Sequence, residues 1–220
     1  MRNLLLILLL TVLAAGCHHG MRTDITGSGK RAMEKRQVAA FTSISTEGAF
    51  NIEVACQKGP SLEVEGDDNV LEYVSTEVSN NVLRLKNTKG YSVGELVKVK
   101  ISVPNLEALS VSGAGRIEIK GMNNEKFVID ANGAPSISAS GTTKSIYINT
   151  NGAGKIDTHN LHASRAIVES KGVSRVDLDV AEQLDVTVSG PSVVFYRGNP
   201  VINKTVHGPG KVEKRGDEGA

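Results

Sequence analysis

The sequence contains no tryptophan and only 4% aromatic residues among its 220 residues, whereas glycine occurs 23 times. Few large rings and many glycines fit an all-β chain with tight corners better than a helical bundle. The sequence also lacks a strong excess of either sign of charge, because its 25 basic and 24 acidic residues give a net charge of +1. Since a dedicated nucleic-acid-binding protein carries a clearly basic face, the composition predicts no nucleic-acid partner.

Cysteine is scarce, and the first of the two cysteines, Cys17, follows the apolar run LLLILLLTVLAA and a glycine. This run is too short to span a bilayer comfortably, and small residues at its end are typical of a secretory cleavage site. LAAGC is similar to the lipobox of bacterial lipoproteins, which implies cleavage before Cys17 and acylation of its thiol. An ordinary signal peptide or an uncleaved anchor is the alternative. We predict a lipoprotein signal peptide over residues 1–16 and a membrane anchor on Cys17.

The other cysteine, Cys56, would have no disulfide partner within the mature chain. Its neighbours in NIEVACQ alternate like a strand, which predicts a small buried apolar residue rather than a reactive nucleophile. Residues 18–37 show almost no apolar periodicity, so we predict a lipidated cysteine and flexible tether over residues 17–37. TGSGK in this segment does not match a phosphate-binding loop, because Asp24 replaces the first glycine and Arg31 follows the lysine. No nucleotide partner is therefore predicted.

Short alternating runs from Val38 to about Val103 predict strands, and after Pro104 the chain repeats itself. Six segments align without gaps on a central glycine, and the steps between these glycines are 20, 19, 20, 18 and 18 residues. The glycines are Gly113, Gly133, Gly152, Gly172, Gly190 and Gly208. Internal similarity at such a period is typical of a solenoid, with the glycines at its corners.

The residues four before, two before and four after each glycine are mostly apolar or small. They share one parity, so they point to one side of their strands, and rungs stacked about 4.8 Å apart would bury them together. A glycine at each corner permits a positive φ or a close backbone approach. An antiparallel meander is the alternative, because NG between alternating runs is a hairpin signal. The period of about 19 residues favours the solenoid.

The stretches VAAFTSISTEGAFNIEV, LEVEGDDNVLEYV and VKISVPNLEALSVSGAG, followed by the glycine repeats, resemble the bacterial family "putative auto-transporter adhesin, head GIN domain". The resemblance covers about residues 38–215 and implies an exported protein, often a lipoprotein. It also implies an all-β fold, a right-handed parallel β-helix with rungs of about 18–20 residues. We therefore predict a head GIN-type β-solenoid domain over residues 38–216 and a tail over 217–220. Pro135 and Ser174 replace the second glycine of the GxG corner, so the first glycine is expected to be the structural one.

Five residues after each glycine, the repeat predicts an outward column that contains several acids. Stacked carboxylates could bind calcium or glycan hydroxyls, but the lysines and arginines beside them favour a plain solvated face. Asp177 and Asp179 on one strand could also form an acid/base pair, the basis of an alternative function as a polysaccharide lyase or hydrolase. The column comprises Glu118, Ser138, Asp157, Asp177, Phe195 and Glu213.

From these features we predict an exported, lipid-anchored cell-envelope protein with a binding, adhesion or structural role rather than an enzymatic one. Its expected location is the outer membrane, and its expected partners are the membrane and a glycan or envelope protein. The candidate binding residues are Glu118, Asp157, Asp177 and Asp179. No catalytic residue or cofactor is predicted. No metal site is predicted either, because His159 and His162 have no third ligand nearby. Phe195 and Tyr196 are expected to cap the last rungs.

Overall fold

The computed structural model describes residues 25–216, so the predicted signal peptide, Cys17, the start of the tether and the tail lie outside the described residues. Within that part, the only helical element is a 3-10 turn at Leu71–Tyr73, and the all-β prediction is confirmed. The strands are β1 (Ile25–Thr26), β2 (Arg31–Arg36), β3 (Ser43–Cys56), β4 (Ser61–Asp67), β5 (Val74–Ser79), β6 (Val82–Asn87), β7 (Tyr91–Ser92), β8 (Lys98–Val103), β9 (Ala108–Gly152), β10 (Lys155–Gly172), β11 (Arg175–Ser189), β12 (Val193–Arg197), β13 (Val201–His207) and β14 (Lys211–Lys214).

The repeat region pairs in parallel from β3 to β14, through β9, β10, β11 and β12, and β13 also pairs with β11. Equivalent residues of successive repeats lie side by side: Ile156 is the neighbour of Ile137 on β9 and of Val176 on β11. The repeat of 18 to 20 residues is therefore the number of residues from a position on one strand to the position paired with it on the next parallel strand.

The N-terminal part of the same sheet contains antiparallel pairs, although β3 runs parallel to both β6 and β8. Strand β2 runs against β4, β4 runs against β8, and β5 forms an antiparallel pair with β6. The twelve-stranded sheet is therefore mixed and does not close on itself. The all-β class is what the structure supports, and the right-handed parallel β-helix stays a prediction.

The segment predicted as a flexible tether contains two of the strands, so that prediction is wrong for Ile25–Thr26 and Arg31–Arg36. Basic side chains of β2 face acidic ones of β4: the Lys35 ammonium lies 3.4 Å from the Glu63 carboxylate, and the Arg31 guanidinium lies 3.5 Å from the Glu65 carboxylate. Strand β2 is held by ladder hydrogen bonds and opposite charges rather than by an apolar face, which is why its sequence shows no apolar periodicity.

One continuous apolar core runs under the strands. The residues four after the first five corner glycines, Ile117, Ile137, Ile156, Val176 and Val194, are all buried. Burial decreases in the last strands: Val212, four after Gly208, is only partly buried, and Val206, two before Gly208, is 39% exposed. Cys56 is buried as predicted, and burial raises the pKa of its thiol from 9.0 to about 11.

The six corner glycines all have a positive φ, between 91° and 134°. At Gly152, where φ is +134°, a Cβ atom would also lie 2.2 Å from the carbonyl oxygen of Gly133. A side chain there would therefore meet both an unfavourable backbone conformation and the backbone of the preceding rung. Gly48 on β3 lies beside Gly113 and adds a seventh member, which the repeat alignment did not include.

Serines stabilise two corners where the second glycine of the motif is missing. The Ser174 hydroxyl donates to the carbonyl of Gly152 over 3.3 Å, and the Ser192 hydroxyl donates to that of Gly172 over 3.0 Å. The backbone N–H of Ser174 in turn donates to the Ser192 hydroxyl over 3.0 Å. These buried hydroxyls link three consecutive corners by hydrogen bonds that a glycine could not make.

Candidate binding groove

The parallel register assembles the predicted column. Asp157 lies beside Ser138 on one side and Asp177 on the other, and Asp177 lies beside Phe195. Phe195 in turn neighbours Glu213 on β14, while Glu118 neighbours Glu53 on β3. Side chains that are far apart in sequence are therefore brought onto a single line across the rungs.

Asp177 is not the solvated residue that the column predicts, because only 5% of it is exposed. Two guanidinium groups bind its carboxylate: Arg175 Nε donates to Oδ2 over 2.8 Å, and Arg215 Nη1 lies 3.0 Å from Oδ1. Both guanidinium groups also lie over the ring of Phe195, at 4.6 Å and 4.1 Å from its centroid. Asp177 and Phe195 therefore fix two arginines, one on β11 and one just after β14.

The C-terminal segment reaches this cluster through Arg215, whose backbone N–H donates to the carbonyl of Tyr196 over 2.8 Å. The side chain of Arg215 then crosses Phe195 to reach Asp177. Phe195 and Tyr196 thus lie under the segment that ends the described chain, in agreement with their expected capping position.

The other predicted acids have partners of their own. Asp157 makes a short hydrogen bond with the imidazole of His159, and Asp179 is 2.6 Å from Nδ1 of His162. Glu118 pairs with Lys120 at 2.8 Å. Asp179 does not line the cavity that contains Asp177, so the structure does not bring these two carboxylates to a common cavity for acid/base catalysis.

A small surface cavity of about 150 Å³ lies at the C-terminal end of the column. We call it the cationic cavity, because four basic side chains and only two carboxylates line it. His159, Leu178, Phe195 and Tyr196 complete its lining. The charged residues are Lys155, Arg175, Arg197, Arg215, Asp157 and Asp177.

Two further cavities continue the cationic cavity along the column. Asp157 and His159 also line a middle cavity of about 330 Å³, together with Ser138, Ser140 and Asn160. Glu118 and Lys120 belong both to this middle cavity and to a third one of about 440 Å³. Because neighbouring cavities share lining residues, the three cavities adjoin one another along the column, and we call this row of cavities the axial groove.

The third cavity carries alternating charges. It is lined by Glu53, Glu63, Lys58 and Lys100, besides the hydroxyls of two serines. The hydrogen bond from Lys98 to Glu53, 2.8 Å long, raises the pKa of Lys98. This end of the groove therefore offers both donors and acceptors, with neither sign of charge dominant.

A separate surface cavity of about 460 Å³ is more apolar, with Val128, Tyr147 and Ile167 in its lining. Its residues do not overlap with those of the axial groove. Among residues 25–216, no group of three or more His, Cys, Asp and Glu side chains is placed to hold a metal ion. Within the same range, no helix is long and apolar enough to cross a membrane.

The sequence indicated part of this site and missed the rest. It placed Glu118, Asp157 and Asp177 on one column and noted Lys155 and Arg175 beside them, since all recur at fixed distances from the corner glycines. Arg197 and Arg215 each lie seven residues after a corner glycine, one residue beyond the aligned segments, so the alignment left both out although they share a position in the repeat.

Comparison with known proteins gives the following results. The profile of the family described as "Putative auto-transporter adhesin, head GIN domain" matches residues 40–200. A solved structure of a putative adhesin from Bacteroides fragilis NCTC 9343 is similar with a TM-score of 0.70 and 23% identity, covering 87% of this chain and 100% of that one. A putative adhesin from Parabacteroides merdae ATCC 43184 has a TM-score of 0.52 and 18% identity, covering 87% and 99%. At these identities the likeness concerns the fold alone. Among curated proteins, no match was found.

Proposed function

This chain belongs to the head GIN domain family, as its sequence predicted, and from that premise we propose an exported, lipid-anchored cell-envelope protein with a binding role. Its ligand contacts the axial groove, and the lipid on Cys17 holds the domain at a membrane, most simply the outer membrane. The observation that carries the binding role is the axial groove itself: it is a row of three adjoining cavities that crosses several rungs, and charged and hydroxyl side chains contribute to its lining.

Two facts support an adhesin-like role rather than an enzymatic one. The similar solved structures are described as putative adhesins, and the family description contains the same word. In the groove, the Asp177 carboxylate is held by two guanidinium groups, so it is poorly placed to exchange a proton with a substrate.

We also propose that the parallel strands coil as a right-handed β-helix. Support comes from the parallel register, which advances by 18 to 20 residues from each rung to the next, and from the stacking of Gly133 and Gly152 at successive corners. A crystal structure of the chain tests this proposal: closed right-handed coils would support it, and an open flat sheet would contradict it.

Lipid anchoring is tested by metabolic labelling with palmitate in a bacterial host. We expect label on the wild type and on Cys56→Ala, and none on Cys17→Ala. Because the chain has two cysteines, Cys56→Ala is the matched control for loss of a thiol. Label that persists on Cys17→Ala would contradict the anchor. Each buried methylene contributes about 0.8 kcal/mol to membrane attachment, so the unlabelled variant should also leave the membrane fraction.

The binding role is tested separately, with a pull-down of envelope polymers and proteins by the purified chain. Retention of one class of envelope component by the wild type, and its loss when Asp157 and Lys155 are replaced, would support the groove as the contact surface. Turnover of acidic polysaccharides that Asp177→Ala abolishes would instead support the enzymatic alternative and contradict the proposal.

A further inference from the structure

The cationic cavity has more positive charge than its own carboxylates balance. Arg175 and Arg215 share the buried Asp177, and Asp157 bonds to His159. Among residues 25–216, Lys155 and Arg197 make no ion pair, although both line the cavity. Within the described part of the chain, the cavity therefore contains two basic groups that no carboxylate pairs with.

We propose that the cationic cavity binds the carboxylate of an acidic saccharide, and that the rest of the saccharide lies along the axial groove. This assignment rests on the proposed binding role and names the chemical class of its ligand. Lys155 and Arg197 supply the charges that the carboxylate neutralises, while Arg175 and Arg215 line the same wall and are held in place by Asp177 and Phe195.

The fixed arginines explain why an oxyanion fits this cavity. A guanidinium group presents a planar fork of donors that matches the two oxygens of a carboxylate. The side chain of Asp177 is 7% exposed, and its ion pairs hold the two arginines before any ligand arrives, so less conformational entropy is lost on binding. The volume of about 150 Å³ equals that of roughly five water molecules in the liquid, enough for a charged group and part of one sugar ring.

The lining beyond the cationic cavity favours a saccharide over a peptide. Ser138, Ser140 and Asn160 offer hydroxyl and amide groups in the middle cavity, which suit the hydroxyls of a sugar. The exposed Ile167 and Val173 do not line the groove, and the apolar residues that do, such as Val54, Ile101 and Ile119, are at most 3% exposed. An extended peptide is recognised specifically through pockets for alternate side chains, and side chains as buried as these offer little surface for apolar pockets.

The shape of the groove favours a linear ligand. It extends over the rungs of Glu53, Glu118, Ser138, Asp157, Asp177 and Phe195. Five steps between neighbouring strands at about 4.8 Å each give a length of roughly 24 Å. A polymer of sugars can therefore follow the column with one acidic end group in the cationic cavity.

The test is isothermal titration calorimetry of the full-length chain in detergent, at constant ionic strength. The probes are tetragalacturonate, the neutral maltotetraose and inorganic phosphate. Binding is compared for the wild type, for the double variant Lys155→Gln and Arg197→Gln, and for the control double variant Arg84→Gln and Lys171→Gln. The control removes the same charge from exposed residues outside the groove. Neither pair includes Asp177, Arg175 or Arg215, so the cluster that holds the C-terminal segment is kept.

We expect tetragalacturonate to bind the wild type and the control equally, and maltotetraose not to bind measurably. The groove variant should bind about tenfold more weakly or worse, because losing one charge-assisted hydrogen bond lowers affinity by about that factor. Absence of tetragalacturonate binding, or an equal loss in the control, would overturn the inference. Phosphate binding as tightly as the saccharide would indicate a bare anion site and overturn it too. If maltotetraose bound as tightly as tetragalacturonate, the binding role would stand and only the acidic class would fail.

Discussion

Replacing Gly152 by alanine is the sharpest perturbation of the corner that the repeat is built on. The new Cβ would lie 2.2 Å from the carbonyl oxygen of Gly133 and 3.1 Å from its carbonyl carbon and its nitrogen, at a residue whose φ is +134°. Because all three atoms belong to the backbone of the preceding rung, no side-chain rotation can relieve the contact. The substitution therefore combines a strained φ with a steric clash.

The two contributions can be estimated and separated with the other glycines. A strained φ costs about 1–3 kcal/mol and overpacking costs about 1–3 kcal/mol, so Gly152→Ala should lower the free energy of unfolding by roughly 2–6 kcal/mol. At Gly208, where φ is +98°, the nearest atom is 3.6 Å away, which leaves the φ strain alone, about 1–3 kcal/mol. At Gly59 there is neither a positive φ nor an atom within 4 Å, so Gly59→Ala should change stability by less than about 1 kcal/mol.

Urea unfolding of the full-length chain, followed by circular dichroism, measures these differences. The expected order of destabilisation is Gly152→Ala, then Gly208→Ala, then Gly59→Ala. If Gly152→Ala were no more destabilising than Gly208→Ala, the close approach of Gly152 to the backbone of Gly133 would contribute nothing to the loss of stability. The account of why the first glycine recurs would then be refuted.

Two further predictions concern single side chains. Arg215→Gln should lower the free energy of unfolding by about 1–3 kcal/mol, because the buried Asp177 loses one of its two ion pairs and Phe195 loses a stacked cation. Thermal unfolding measures this, with the exposed Lys214→Gln as control, and an unchanged midpoint would contradict it. The pKa of Cys56 is raised to about 11 from 9.0, so the folded chain keeps its proton longer than the unfolded chain does, and stability should fall as the pH rises from 9 towards 11. Cys56→Ala should show a smaller slope than the wild type, and rapid reaction of the native thiol with a disulfide reagent at neutral pH would contradict the burial.

The repeat region was predictable because one constraint recurs six times. Each strand must bury an Ile or Val four residues after a glycine, so the period and the parity were both visible in the sequence. The sequence also offered two reasons for the glycine, a positive φ or a close backbone approach, and at Gly152 both hold. Strand β2 was not predictable in the same way, because its partner strand β4 supplies charges and hydrogen bonds rather than an apolar surface.

The binding site shows where periodicity stops being informative. The alternation of side chains along the strand places Asp177 on the face opposite to the buried Ile and Val residues. From that alone, a solvent-exposed carboxylate is expected. Its burial depends on Phe195 from the next rung and on Arg215 from beyond the last repeat. Neither contact follows from local sequence, since each requires the three-dimensional stacking of the rungs. The acid column was therefore visible, and the cationic cavity that ends it was not.

The claim that the axial groove is the binding surface is tested most directly by mapping a bound saccharide with nuclear magnetic resonance. Backbone amide shifts of the full-length chain would be followed during titration with tetragalacturonate. We expect the largest changes at Ser138, Asp157 and Arg197 in the groove, and none at Tyr147 and Ile167 in the separate apolar cavity. Changes centred on Tyr147 and Ile167, with the groove amides unmoved, would contradict the account.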